Sequence, residues 1–145
     1  RECRTEEDFR AAGSVLWVAW QASHGFCSPD FLARHTPEER TEYLEAGGRQ
    51  GKRVFTSANG SKALGLVSLC GSEIGDLYVL PEAQGLGYGR LLLDFAVRQA
   101  PGDPTLWLLE NNSAAQRFYA DAGFTFTGRE NRSGKRTERE MTLQA

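Results

Sequence analysis

No run of apolar residues in this 145-residue chain approaches the roughly 20 that a membrane-crossing helix requires, so no helical span is expected. Histidine and cysteine are scarce, with two and three copies. His24 and His35 lie near no cysteine or carboxylate pair with ligand spacing, and Cys3, Cys27 and Cys70 are far apart, which argues against a metal site. An odd number of widely spaced cysteines also gives no disulfide framework and suits a reducing compartment. The opening stretch RECRTEEDF lacks the apolar core of a secretory signal, so a cytoplasmic protein is expected. The missing initiator Met suggests a trimmed N-terminus.

Excess positive charge is absent too. The formal net charge is −2 and the basic residues are scattered, which leaves a nucleic-acid duplex or an anionic membrane surface without an electrostatic partner. The one basic cluster, GRENRSGKRTERE from Gly128 to Glu140, interleaves glutamates with arginines and reads as a solvated hairpin. What remains is ordinary: 40% hydrophobic and 25% charged residues, the composition and length of one soluble globular domain.

Periodicity supplies the elements. From Thr5 to about Phe26, Phe9, Ala12, Leu16, Ala19 and Trp20 form one helical stripe, and Thr5 with Asp8 resembles a capping box. SPDFL breaks the chain. TPEERTEYLEAGG then reads as a short helix capped by Thr36, with Pro37 in its first turn. Two β-rich runs, Arg53 to Ser57 and Ala63 to Cys70, flank Asn59-Gly60, a dipeptide suited to a tight hairpin. EIGDLYVLP is a third strand. After it come a helix built on Leu91, Leu92, Leu93, Phe95, Ala96 and Val97 and the strand TLWLLE, whose continuous apolar run suggests a central strand covered on both faces. Asn112 can cap a further helix carrying Ala115, Phe118, Tyr119 and Ala122, which Gly123 can close. FTFTGR and TEREMTL finish the chain as a hairpin turned at NRSGK. Strands followed by helix, strand, helix and hairpin give a mixed α/β sheet in one domain over residues 1–145.

The chemistry centres on PEAQGLGYGRLLLDF, from Pro81 to Phe95. Gly85, Gly87 and Gly89 precede a helix, and such a turn presents unpaired backbone N–H groups and the positive end of a helix dipole to an anion. The spacing excludes two common phosphate motifs, because neither the G-x-G-x-x-G of dinucleotide sites nor the G-K-[ST] of a P-loop is present. The pattern that fits is Q-x-x-G-x-G at Gln84, Gly87 and Gly89. Together with ENNSAAQRFYADAGF, from Glu110 to Phe124, which matches N-x-x-A-x-x-F-Y-x-x-x-G-F, it makes the chain resemble the GNAT superfamily of acyl-CoA-dependent N-acetyltransferases.

That resemblance implies a single GNAT-like domain of about six to seven strands flanked by about four helices. It implies acetyl-CoA as cosubstrate, with its pyrophosphate on the loop of Gln84, Gly85, Leu86, Gly87, Tyr88, Gly89 and Arg90. Leu77, Tyr78 and Val79 would line the pantetheine arm, with a backbone N–H at or near Val79 polarising the carbonyl. Asn112 and Phe118 would complete the cofactor site. Tyr119 matches the tyrosine that commonly protonates the departing thiolate, and a phenol of pKa ~10 is a reasonable donor to a thiolate of ~8.5 to 10. The general base stays open among Glu110, Asp76, Glu73 and a water relay. The acceptor would be a primary amine of a small molecule or protein, received near Trp17, Trp20, His24, Phe26 and Phe31. Two other readings stand beside the enzyme: an idle acyl-CoA-binding sensor, which would have no need of Tyr119, and a nucleotide-binding regulatory domain, which the missing phosphate motifs disfavour. Exposed terminal strands leave a homodimer open.

Overall fold

The protein is described by a computed structural model over residues 1–23, 36–59, 62–134 and 136–144. The SPDFL break, the Gly60 turn, Cys27 and the candidate acceptor residues His24, Phe26 and Phe31 lie outside the described residues. Helix α1 (Glu6–Ser23) starts on the expected reciprocal cap. Asp8 N donates to Thr5 Oγ1 at 3.1 Å, and Thr5 N donates to Asp8 Oδ2 at 3.1 Å. Helix α2 (Pro37–Arg49) is capped by Thr36, whose Oγ1 accepts from Glu39 N at 3.0 Å.

The strands are β1 (Arg53–Asn59), β2 (Lys62–Cys70), β3 (Glu73–Val79), β4 (Thr105–Leu109), β5 (Thr125–Ser133) and β6 (Arg136–Thr142). They form one sheet in the order β1-β2-β3-β4-β6-β5. Only β3 and β4 are parallel; the other neighbours are antiparallel. Helix α3 (Tyr88–Gln99) connects β3 to β4, as a parallel crossover requires, and α4 (Ser113–Asp121) connects β4 to β5. Six strands and four helices among the described residues meet the sequence expectation. Residues 1–3 also run along β1: Cys3 N donates to Val54 O at 2.7 Å and Thr56 N to Arg1 O at 2.8 Å.

Two apolar clusters sandwich the sheet. Leu64 and Leu66 of β2 face α1 and α2, with Val15, Leu16 and Leu44. Val67 and Leu69 face the other side, with Leu92, Leu93 and Ala96 of α3. Period-two alternation therefore makes β2, not β4, the strand buried on both faces. In β4, Leu106 and Leu108 are buried, while Trp107 is half-buried and Leu109 exposed. The continuous apolar run of TLWLL has a different reason: its second face walls a cavity.

Candidate active site

One irregularity organises this region. Val67 pairs with Leu77 and Leu69 with Ile74, so Gly75 and Asp76 both oppose Ser68. This is a β-bulge, and it reverses the facing of every later residue of β3. Ile74 and Leu77 join the α3 side of the sheet, while Tyr78 joins the α1 side. The parallel pairing of β3 with β4 comprises Glu73 with Thr105 and Ile74 with Leu106, and it ends where the bulge begins. Beyond that point the two strands part. Leu80 N donates across to Leu64 O of β2 at 2.8 Å, so alternation turns the N–H groups of Leu77 and Val79 the other way, into the gap beside β4.

The bulge is pinned by buried polar groups. Ser68 Oγ donates to Asp76 Oδ2 at 2.6 Å and accepts from Asp76 N at 2.8 Å. Lys52 Nζ donates to Oδ2 at 3.1 Å, and the Tyr43 hydroxyl donates to Oδ1 at 3.2 Å. Burial of Lys52 opposes its charge, but attraction to Asp76 and the bond to Tyr43 outweigh it and hold its pKa above the ordinary lysine value. Three donors thus occupy the Asp76 carboxylate, an arrangement that holds the strand in shape. Ser68→Ala should destabilise the protein by about 1–3 kcal/mol, the usual cost of unmaking buried hydrogen bonds. Chemical denaturation checks this, and an unchanged midpoint would deny the bulge its anchor.

The gap is a cavity of about 630 Å³. Gly75, Leu77 and Tyr78 line it from β3, Trp107, Leu108 and Leu109 from β4, and Asn112, Ala115 and Tyr119 from α4 and its cap. Asn112 Oδ1 accepts from Ala115 N at 3.1 Å. Tyr119 packs edge-on against Phe118 and Phe124. Burial, aided by the neighbouring Tyr78 hydroxyl, pushes its phenol up to about 12. Tyr78 is raised in the same direction, first by burial and then by Asp76 and Tyr43.

A second cavity, of about 350 Å³, lies over the glycine loop and is lined by Val79, Gln84, Gly85, Gly87, Gly89, Arg90 and Phe118. Adjacent residues, Tyr78 with Val79 and Phe118 with Tyr119, divide the two spaces between them. Gly87 caps α3 in the left-handed region, at φ +87, with no side-chain cap. Leu91 N donates back to Gly87 O at 3.1 Å, so the N–H groups of Tyr88, Gly89 and Arg90 precede the first helical bond and have no intrahelical partner. Gln84 Nε2 donates to Val79 O at 3.2 Å and ties the loop to β3. Arg90 is braced by Asp94 at 2.9 Å.

The side chains of several expected residues do not line these two cavities. Leu86 is 71% exposed, and Tyr88 packs into the α1-side core. Glu110 is not in the cavity wall; Arg139 pairs with it at 2.7 Å. Glu73 is exposed at the start of β3. A third cavity, of about 550 Å³, involves residues 2–9 and 45–53 and shares no lining residue with the other two.

Comparison with known proteins agrees with this geometry. The acetyltransferase (GNAT) domain family matches residues 49–126, from the end of α2 through the start of β5. The chain belongs to the GNAT acetyltransferase family. It is 36% identical over 134 residues to the peptidyl-lysine N-acetyltransferase YjaB of Escherichia coli, covering 89% of this chain and 83% of that one. The solution structure of apo YjaB from Escherichia coli superposes with a TM-score of 0.69, at 26% identity and coverage of 100% and 97%. The PaiA N-acetyltransferase of Thermoplasma acidophilum, solved with coenzyme A, superposes with a TM-score of 0.70 at 18% identity and shares the fold, with coverage of 100% and 98%. As a GNAT member the chain is an acetyl-CoA-dependent N-acetyltransferase. Among its described residues no helix is long and apolar enough to cross a membrane.

Proposed function

We propose that the protein moves the acetyl group of acetyl-CoA directly onto a primary amine, a protein lysine side chain being the acceptor that its relatives favour. The observation that carries this is the succession of two cavities along β3, one over the free amides of the α3 N-terminus and one holding Tyr119. The loop amides and Arg90 take the pyrophosphate. The pantetheine arm enters between β3 and β4, and the N–H of Val79 or Leu77 polarises the thioester carbonyl. Asn112 steadies the arm near the sulfur. Tyr119 supplies the proton as the thiolate leaves. The cytoplasm, where acetyl-CoA and reduced thiols coexist, suits this chemistry.

In this reading a water relay takes the acceptor's proton; among the described residues that line the larger cavity there is no carboxylate and no histidine. The kcat/KM profile should therefore rise with pH until the acceptor amine is neutral, near ~10.4 for an unperturbed lysine, and its limb should move with the pKa of the amine used. A limb that stays at one pH for every acceptor would instead demand a base supplied by the protein, such as Asp76 or Glu110. The whole reading is tested by calorimetric titration with acetyl-CoA against NAD and ATP, followed by thiol release with lysine peptides. Folded protein that does not select acetyl-CoA would overturn it.

A further inference from the structure

β5 leaves regular pairing in one place. Phe126 faces Met141 and Glu130 faces Arg139, so Thr127, Gly128 and Arg129 together oppose the single residue Glu140. Gly128 makes this crossing at φ +92, a value few side chains tolerate. The bulge turns two side chains onto one carboxylate: Thr127 Oγ1 donates to Glu140 at 2.9 Å and Arg129 Nη1 at 3.3 Å. Glu140 is buried, while the Arg129 side chain is 72% exposed. The guanidinium also lies over the indole of Trp107, 5.6 Å from its centroid. Trp107 faces Glu140 across the β4–β6 ladder and belongs to the wall of the larger cavity.

One edge of the Arg129 guanidinium is thus fixed by a buried carboxylate and one face by an aromatic ring. Its other N–H groups make no hydrogen bond among the described residues. A solvated surface arginine needs neither brace. Bulges recur where a side chain must be aimed beside an active site, and a planar donor fork held in place is suited to a carboxylate. We propose that Arg129 is a specificity-determining residue whose free guanidinium edge takes a carboxylate of the acceptor. This rests on the amine-acetylation reading above. In a protein acceptor the carboxylate is an Asp or Glu beside the modified lysine; in a small acceptor it is the molecule's own.

The test measures thiol release with two matched acceptor pairs: a lysine peptide with Asp or Asn beside the lysine, and a small amine carrying a carboxylate or the corresponding carboxamide. The enzymes are the wild type, Arg129→Gln and Arg129→Glu, each assayed below its own melting temperature, because Glu140 loses a partner, and each checked for an unchanged KM for acetyl-CoA. The wild type should favour the carboxylate member by about ten-fold in kcat/KM, chiefly through KM, with the gain reduced by added salt. Arg129→Gln should erase the preference, and Arg129→Glu should turn it toward the neutral member. Equal rates within a pair, or a preference that survives both substitutions, would overturn the role of Arg129. Turnover of the small amines with none of the peptides would remove the protein-lysine acceptor, and the small pair would then decide Arg129 by itself.

Discussion

Replacing Tyr119 by Phe will lower turnover between ten- and a hundred-fold while leaving acetyl-CoA affinity within a few-fold. The hydroxyl is one atom on a side chain whose ring does the packing, against Phe118 and Phe124, so the substitution keeps the cavity wall and removes only the proton. General acids contribute about 10²–10⁴ when their pKa lies near the working pH. Tyr119 does not meet that condition, because burial pushes it up to about 12. It is fully protonated at neutral pH, yet a weaker acid than a thiol. Complete proton transfer to a free thiolate would be uphill, so in the proposed role the proton is shared while negative charge is still building on sulfur. This places the loss at or below the lower end of that range. A donor must carry its proton, and raising its pKa moves the alkaline limb upward: no fall assignable to Tyr119 is expected below about pH 10. Steady-state kinetics of Tyr119→Phe alongside a calorimetric Kd for acetyl-CoA checks both halves. Undiminished turnover would take Tyr119 out of the mechanism.

The sequence made the glycine loop and the helix caps legible because their determinants are local. Gln84, Gly87 and Gly89 lie in a turn and a helix start within one short stretch, and Asn112 caps its own helix. The capping box at Thr5 and the order of strands and helices were readable for the same reason. The other features depend on pairing between distant strands. Nothing in EIGDLYV announces that Gly75 and Asp76 share one partner, because the bulge exists only against Ser68. Asp76 was a candidate base by proximity in sequence; Tyr43 and Lys52, which occupy its carboxylate, are 33 and 24 residues away. Trp107 was legible as a strand residue but not as a cavity wall, since an apolar run reads alike whether a second layer or a gap covers it. The insertion of β6 between β4 and β5 likewise follows no local rule.

Substituting Gly87 by Val will weaken acetyl-CoA binding by about a hundred-fold or more, the scale of losing charge-assisted bonds from the loop amides to a phosphate. The protein offers open space at this position, with nothing within 4 Å of an added Cβ, so the effect arises from two other causes. At φ +87 a β-branched residue is strained by about 1–2 kcal/mol, which favours a rearranged loop whose amides no longer converge. Any side chain there also projects into the space over the loop that Gly87 helps to line, where only bare backbone permits a phosphate to approach. The loss should be confined to the phosphate-bearing end of the cosubstrate. S-acetylpantetheine lacks the pyrophosphate and should be used by the variant and the wild type with similar kcat/KM, whereas the advantage of acetyl-CoA over it should disappear in the variant. Equal impairment with both donors would mean that the substitution has damaged β3 or the splay itself. Full retention of acetyl-CoA binding in folded Gly87→Val would place the pyrophosphate elsewhere and separate the glycine loop from the cofactor.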